Sequence, residues 1–290
     1  MTRRSMILIA ATTLAVLSSC TRNKTLAEVG SLNITKNDVD LRMKAMAVFA
    51  PQQNESIALE QLIRSYTIAE VLKKKGLKDL DKEIDAEAKR IEDSAKGNPK
   101  MAEVKKTFGR DEAAFKKIFV LPMLADRLAY TEGYLKDEDF HKAQKEKANQ
   151  FLAEMQKSSG SFEETAKKYG FIYKKGSVDP VKGLVWDADK NSGNVNLPSG
   201  PFIAQQWKKA ALDNTTSGKV ASSLIDQGNF WVALKNNGSA SKDKGHMQIA
   251  AVAIFREPFG AWLEKNRTDI AVKRMADAKP AGASGAKTSN

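Results

Sequence analysis

The scarcest side chains able to do reactive chemistry in this sequence are Cys20, the single cysteine, and the two histidines, His141 and His246. One cysteine excludes an internal disulfide framework. One cysteine and two histidines are too few for a Cys/His zinc cluster, and the histidines show no ligand spacing. Carboxylates are numerous, densest from Asp79 to Glu92. Their helical spacing describes a solvated charged face rather than an acid/base pair. No Gly-x-x-x-x-Gly-Lys loop is present to cradle nucleotide phosphates. No Gly-x-Ser-x-Gly elbow presents a serine nucleophile. The expectation is therefore no cofactor and no metal.

The context of Cys20 assigns it another use. Arg3 and Arg4 precede an almost wholly apolar run from Met6 to Leu17. A membrane-spanning helix needs about twenty such residues, so this run is too short to span and reads as a signal-peptide core. Leu17-Ser18-Ser19-Cys20 follows. It resembles the lipobox of bacterial lipoproteins, in which small residues admit the peptidase and the thiol takes the lipid. The resemblance implies a signal peptide at 1–19, acylated Cys20, and a chain held to a membrane by its N-terminal lipid. No aspartate follows Cys20, which implies the periplasmic face of the outer membrane in a Gram-negative host. The formal net charge is +12. Removing residues 1–19 takes Arg3 and Arg4 and no acid, leaving about +10. On an exported surface that charge points to envelope proteins or anionic lipid, not to nucleic acid.

Elements come next. The chain has 290 residues, 42% hydrophobic and 28% charged, as expected for a folded protein of about two domains. "LAEVGSLNI" reads as an extended piece with a Gly-Ser turn. Thr35 and Asp38 form a capping box that opens a helix. Leu59, Leu62, Ile63, Tyr66, Ala69 and Leu72 make one helical stripe. Lys73, Lys74 and Lys75 close it, and Gly76 takes the left-handed position. Further helices are expected over Lys82–Ser94, over Met101–Phe108, and from Asp111, with Pro122 kinking the last.

The run "AEVGSLNITKNDVDLRM" followed by "LEQLIRSYTIAEVLKKKGLKDLDKEIDAEAKRI" resembles the N-terminal domain of the SurA and PrsA families of exported foldases. The match covers most of Ala27 to Leu135. It implies a helical cradle holding unfolded clients on apolar surface. Met43, Met46, Phe49, Phe108, Phe115, Phe119 and Met123 are the candidates, with core packing the competing reading for each.

Residues Phe140–Gln156 read as a long charged helix, with His141 on its solvated face. Ser161 caps a short helix ending near Tyr169, and another helix is expected over Ile203–Leu212. "GKVASSLIDQGNFWVALKNN" alternates like a strand pair. "FLAEMQKSSGSFEETAKKYG", "KGLVWD" and "QQWKKAALDNTTSGKVASSLIDQGNFWVALK" together resemble the parvulin family of peptidyl-prolyl isomerases over roughly Asn149 to Lys235. That family rotates X-Pro bonds with an apolar proline pocket and a polar cluster containing two histidines. The C-terminal histidine of its pattern falls on Phe230 here, which donates no hydrogen bond. Carry-over from the pattern gives Trp186, Trp207, Leu212, Phe230 and Trp231 as the client or proline groove.

The family's histidine-bearing first strand is missing ahead of the long helix. "HMQIAAVAIF", His246 to Phe255, resembles it. Either it fills that slot beside the Trp231–Leu234 strand, as in a circular permutation, or it is an ordinary extra hairpin strand. His246 is the only catalytic candidate. Pro258 opens a helix expected to run to about Met275, and the SurA-like resemblance implies that it packs back on the N-terminal module. From Ala278 the Ala-Gly-Ser-Lys tail is expected to be disordered.

The expected class is α+β: a mainly helical, chaperone-like N-terminal domain with a small parvulin-like α/β domain. The divisions are 1–19 signal peptide, 20–139 helical domain, 140–256 degenerate parvulin-like domain, 257–277 C-terminal helix, and 278–290 tail. The resemblances imply a lipid-anchored chaperone for unfolded or nascent envelope and secreted proteins, with a non-catalytic second domain. An active prolyl isomerase and a structural assembly lipoprotein are the alternatives.

Overall fold

The computed structural model describes residues 23–77, 79–157, 160–187, 197–239 and 246–276. The segment 1–19 read as a signal peptide, Cys20, and the 278–290 tail expected to be disordered lie outside them. The fold is α+β with two antiparallel sheets. It divides into two compact units: residues 1–136 with 259–290, and residues 137–258. No helix among the described residues is long and apolar enough to cross a membrane.

The first unit begins with a hairpin, β1 (Thr25–Val29) and β2 (Leu32–Thr35). Its turn uses Gly30 at φ 55°. Helix α1 (Lys36–Ala47) starts at the expected capping box: Thr35 accepts from the Asp38 amide while Asp38 accepts from the Thr35 amide. Helix α2 (Glu55–Lys74) buries the whole predicted stripe, and Gly76 follows at φ 84°. Helices α3 (Leu80–Ala95) and α4 (Pro99–Phe108) come next.

The segment from Glu112 is not a simply kinked helix. It runs as α5 (Glu112–Phe115), a π-turn over Lys116–Val120, α6 (Leu121–Leu128) and a second π-turn over Ala129–Tyr134. Pro122 has no N–H to give to the Ile118 carbonyl four residues earlier. Arg42 Nη1 takes that place, donating to Ile118 O at 3.2 Å, while its Nε donates to Gln61 Oε1 at 3.0 Å.

The C-terminal segment belongs to this first unit. Helix α10 (Phe259–Arg267) is shorter than its sequence pattern suggests. It ends at Arg267, and Val272–Arg274 form strand β8, paired antiparallel with β1. The Asn266 amide donates to Trp262 O and the Thr268 hydroxyl to Lys265 O, side-chain bonds that compete with helix continuation. Trp262 packs on Tyr134 and stacks on Phe259 at 5.9 Å. Gly133 lies so close beneath it that a β-carbon there would stand 2.5 Å from the indole.

The second unit is a five-stranded antiparallel sheet covered on both faces. Helix α7 (Glu138–Lys157) and α8 (Phe162–Tyr169) lead into β3 (Ile172–Asp179) and β4 (Gly183–Trp186). Helix α9 (Pro201–Trp207) continues as a π-turn over Lys208–Leu212. Strands β5 (Ile225–Asp226), β6 (Phe230–Ser239) and β7 (Met247–Phe255) complete it, in the order β4-β3-β7-β6-β5. Strand β7 is central, which is why it reads as a continuous apolar run from Ile249 to Phe255. Ile249, Ala251 and Ala253 meet the α9 side, and Ala250, Val252 and Ile254 meet the α7–α8 side.

Candidate functional site

In the second unit, the proposed groove residues separate onto two faces. Trp186, Trp207, Leu212 and Phe230 share the α9-side core. Trp207 is fully buried, its ring edge-on to Trp186 at 5.7 Å, and its Nε1 has no hydrogen-bond partner among the described residues. Trp186 Nε1 donates to Pro198 O at 3.0 Å. Gly183 allows this arrangement: a β-carbon there would stand 2.1 Å from the Gly200 carbonyl carbon, where β4 and the start of α9 bridge. Phe230 is buried against Phe255, ring centres 5.3 Å apart. These side chains are a packed core rather than an open groove; only Trp186 is partly exposed.

Trp231 departs further from the expectation. It follows Phe230 on β6, and successive strand residues face opposite sides. It therefore packs in the α7–α8 core, beneath the Arg256 guanidinium at 4.5 Å.

The histidines also depart from their expected settings. His141 is not on a solvated face; it is 1% exposed, edge-on to Trp231 at 6.4 Å. It lies on the same stripe of α7 as Ala148, Leu152 and Met155, at spacings of roughly two, three and four turns. His246 precedes β7, and the β3–β7 register sets it beside Asp179. Its Nδ1 is 3.7 Å from Asp179 Oδ2. The Lys182 and Val181 amides, both donating to Asp179 Oδ1, hold that carboxyl below its usual value. Alternation along β7 puts His246 with Ala250 and Val252, on the face opposite Trp207, Leu212 and Phe230. The polar and apolar halves of an isomerase site are not brought together. Strand β7 does lie beside the Trp231–Leu234 strand, with Trp231 opposite Ile254 and Leu234 opposite Ala251.

The first unit holds an open apolar cleft. A cleft of about 650 Å³ lies between α2 and α10, with β8 along one side. Its floor is the buried side chains of Ile63, Ile68, Val71, Leu263 and Ile270, and Val272, 42% exposed, stands at its side. Three ion pairs stand at its rim: Arg64 with Asp126 at 2.7 Å, Arg267 with Glu264 at 2.6 Å, and Arg274 with Glu60. That volume is in the range of small-ligand and peptide pockets. Sequence reading missed this cleft. Ile68 and Val71 sit one helical turn apart, off the stripe from Leu59 to Leu72, so α2 carries a second apolar face; that pattern was the available signal.

Among the other candidates, Phe108, Phe115 and Phe119 are core, with ring centres of 5.5 Å and 5.8 Å between successive pairs. Met43 and Met46 are half-buried, and Phe49 and Met123 are exposed. No group of three or more His, Cys, Asp or Glu able to hold a metal ion occurs among the described residues. No protein-family model matches the chain, and no curated protein matches it.

Proposed function

We propose that this chain is an exported, lipid-anchored chaperone that holds unfolded envelope or secreted proteins, with a parvulin-like second unit that does not catalyse proline isomerisation. The α2–α10 cleft carries the reading: it is apolar, open, and rimmed by charges already paired within the unit. Burying an apolar side chain is worth about 1.5–3 kcal/mol. A few such side chains, set against the cost of association, give weak and sequence-tolerant binding, as suits a holdase. The lipobox-like Leu17–Cys20 supports anchoring outside the cytoplasmic membrane, and the basic surface supports envelope partners over nucleic acid. Phe230 donates no hydrogen bond and His246 faces the other side of the sheet, which weighs against the isomerase alternative.

Dilution of an unfolded outer-membrane β-barrel protein into the full chain tests this. Light scattering should fall to near the buffer background at roughly equimolar chain, and a protease-coupled proline assay should stay at the uncatalysed rate. Unchanged scattering would leave a structural lipoprotein; turnover well above background would make it an isomerase.

A further inference from the structure

The cleft has a wall of unusual kind, the open edge of a sheet. In the order β2-β1-β8, strand β8 pairs on one side only among the described residues. Gly30 N donates to Ala271 O at 2.9 Å, and Met275 N donates to Leu26 O at 3.0 Å, in register with Glu28 opposite Lys273. In an antiparallel ladder this means residues 271, 273 and 275 turn their backbone groups to β1. Val272 and Arg274 turn theirs outward. The same two residues line the cleft with their side chains. Whatever enters the cleft therefore meets outward-facing N–H and C=O groups beside an apolar hollow.

We propose that β8 accepts an extended segment of a client polypeptide as a fourth strand, its apolar side chains seated in the α2–α10 cleft and its acidic ones across from Lys273. The period of two in a strand supplies this division: residues beside Val272 and Arg274 face the cleft, and those beside Lys273 face away. Lys273 is 70% exposed, and its contact with Glu28 is a loose 3.6 Å. Charge also selects against a second copy of this chain. Antiparallel self-pairing about the strand centre sets Lys273 against its own counterpart, a destabilising like-charge pair. The proposal rests on the client-binding reading above and names the form the client takes.

An eight-residue peptide alternating Val and Glu, with an N-terminal fluorophore, tests it by anisotropy on the full chain. Two further versions carry N-methyl groups on every second residue, one on the Val amides and one on the Glu amides. Edge pairing uses only one of the two sets. One methylated peptide should therefore bind about tenfold more weakly than the parent and the other about equally, since two lost hydrogen bonds are worth about that factor. Val272→Pro, which removes one outward N–H at an edge position where proline is tolerated, should weaken the parent peptide about threefold, the worth of one hydrogen bond.

Equal binding by both methylated peptides overturns strand addition. So does a chain that sediments as a dimer dissolved by Val272→Pro, or peptide binding that appears only once residues 277–290 are removed. Gly260→Trp separates the two readings. It adds bulk at the cleft where a β-carbon meets nothing within 4 Å. If it abolishes aggregation suppression while the methylated peptides bind equally, the client cleft stands and strand addition fails. If the chain suppresses no aggregation at all, the client reading itself fails.

Discussion

Tyr173 shows how burial sets a pH limit at a single residue. Its phenol is pushed up to about 12, first by burial and then by the Glu163 and Asp187 charges. The folded state holds this proton more tightly than the unfolded chain, where a tyrosine titrates near 10. The contribution is therefore complete below about pH 10 and is lost as pH rises through about 12. Tyr173→Phe should flatten the fall in urea-unfolding stability between about pH 10 and 12, and an unchanged slope would contradict the burial account. Residue-scale legibility was uneven. His141 shares a stripe with Ala148, Leu152 and Met155, so its burial was readable in the spacing, but its polar type suggested solvent. Phe230 and Trp231 are neighbours on a strand, and alternation alone forbade a shared groove. Carry-over from a family pattern assigns residues one at a time and loses that constraint.

At the scale of elements, the break before Pro122 has an energetic partner far away in sequence. Arg42 is 6% exposed, and burial lowers its guanidinium to about 10. What it gains in return is the Ile118 carbonyl that Pro122 orphans, together with Gln61. Arg42→Ala should cost about 2–3 kcal/mol in urea unfolding by leaving those acceptors unpaired. Pro122→Ala restores an N–H to the helix, so the double variant should be at least about 0.5–1 kcal/mol less destabilised than the two single effects combined. Strict additivity would show that Arg42 and the π-turn are independent. Local signals were legible because they are local: the Thr35–Asp38 box, the Asp111 cap and Gly76 all stand where short-range rules put them. Strand β8 was not. It has three residues, and its partner β1 lies some 245 positions away. Nothing within its own sequence opposes extending α10 except side-chain bonds visible only in three dimensions.

On the scale of the whole molecule, the second unit is an insertion between Lys136 and Phe259, so the first unit is complete only when the chain returns. The cleft is built from α2 and from that returning segment, which is why no stretch of sequence read alone contains it. Coupling the cleft to a membrane rests on Cys20. Cys20→Ala should abolish incorporation of radiolabelled palmitate and leave the chain uncleaved at residue 19; normal labelling of the variant would remove the anchor from the account. The claim that the cleft holds unfolded clients is tested most directly by light scattering from an unfolded β-barrel protein diluted into the full chain or into its Gly260→Trp variant. The account expects suppression by the parent chain and its loss in the variant, with both melting alike by circular dichroism. Equal suppression by the two would contradict it.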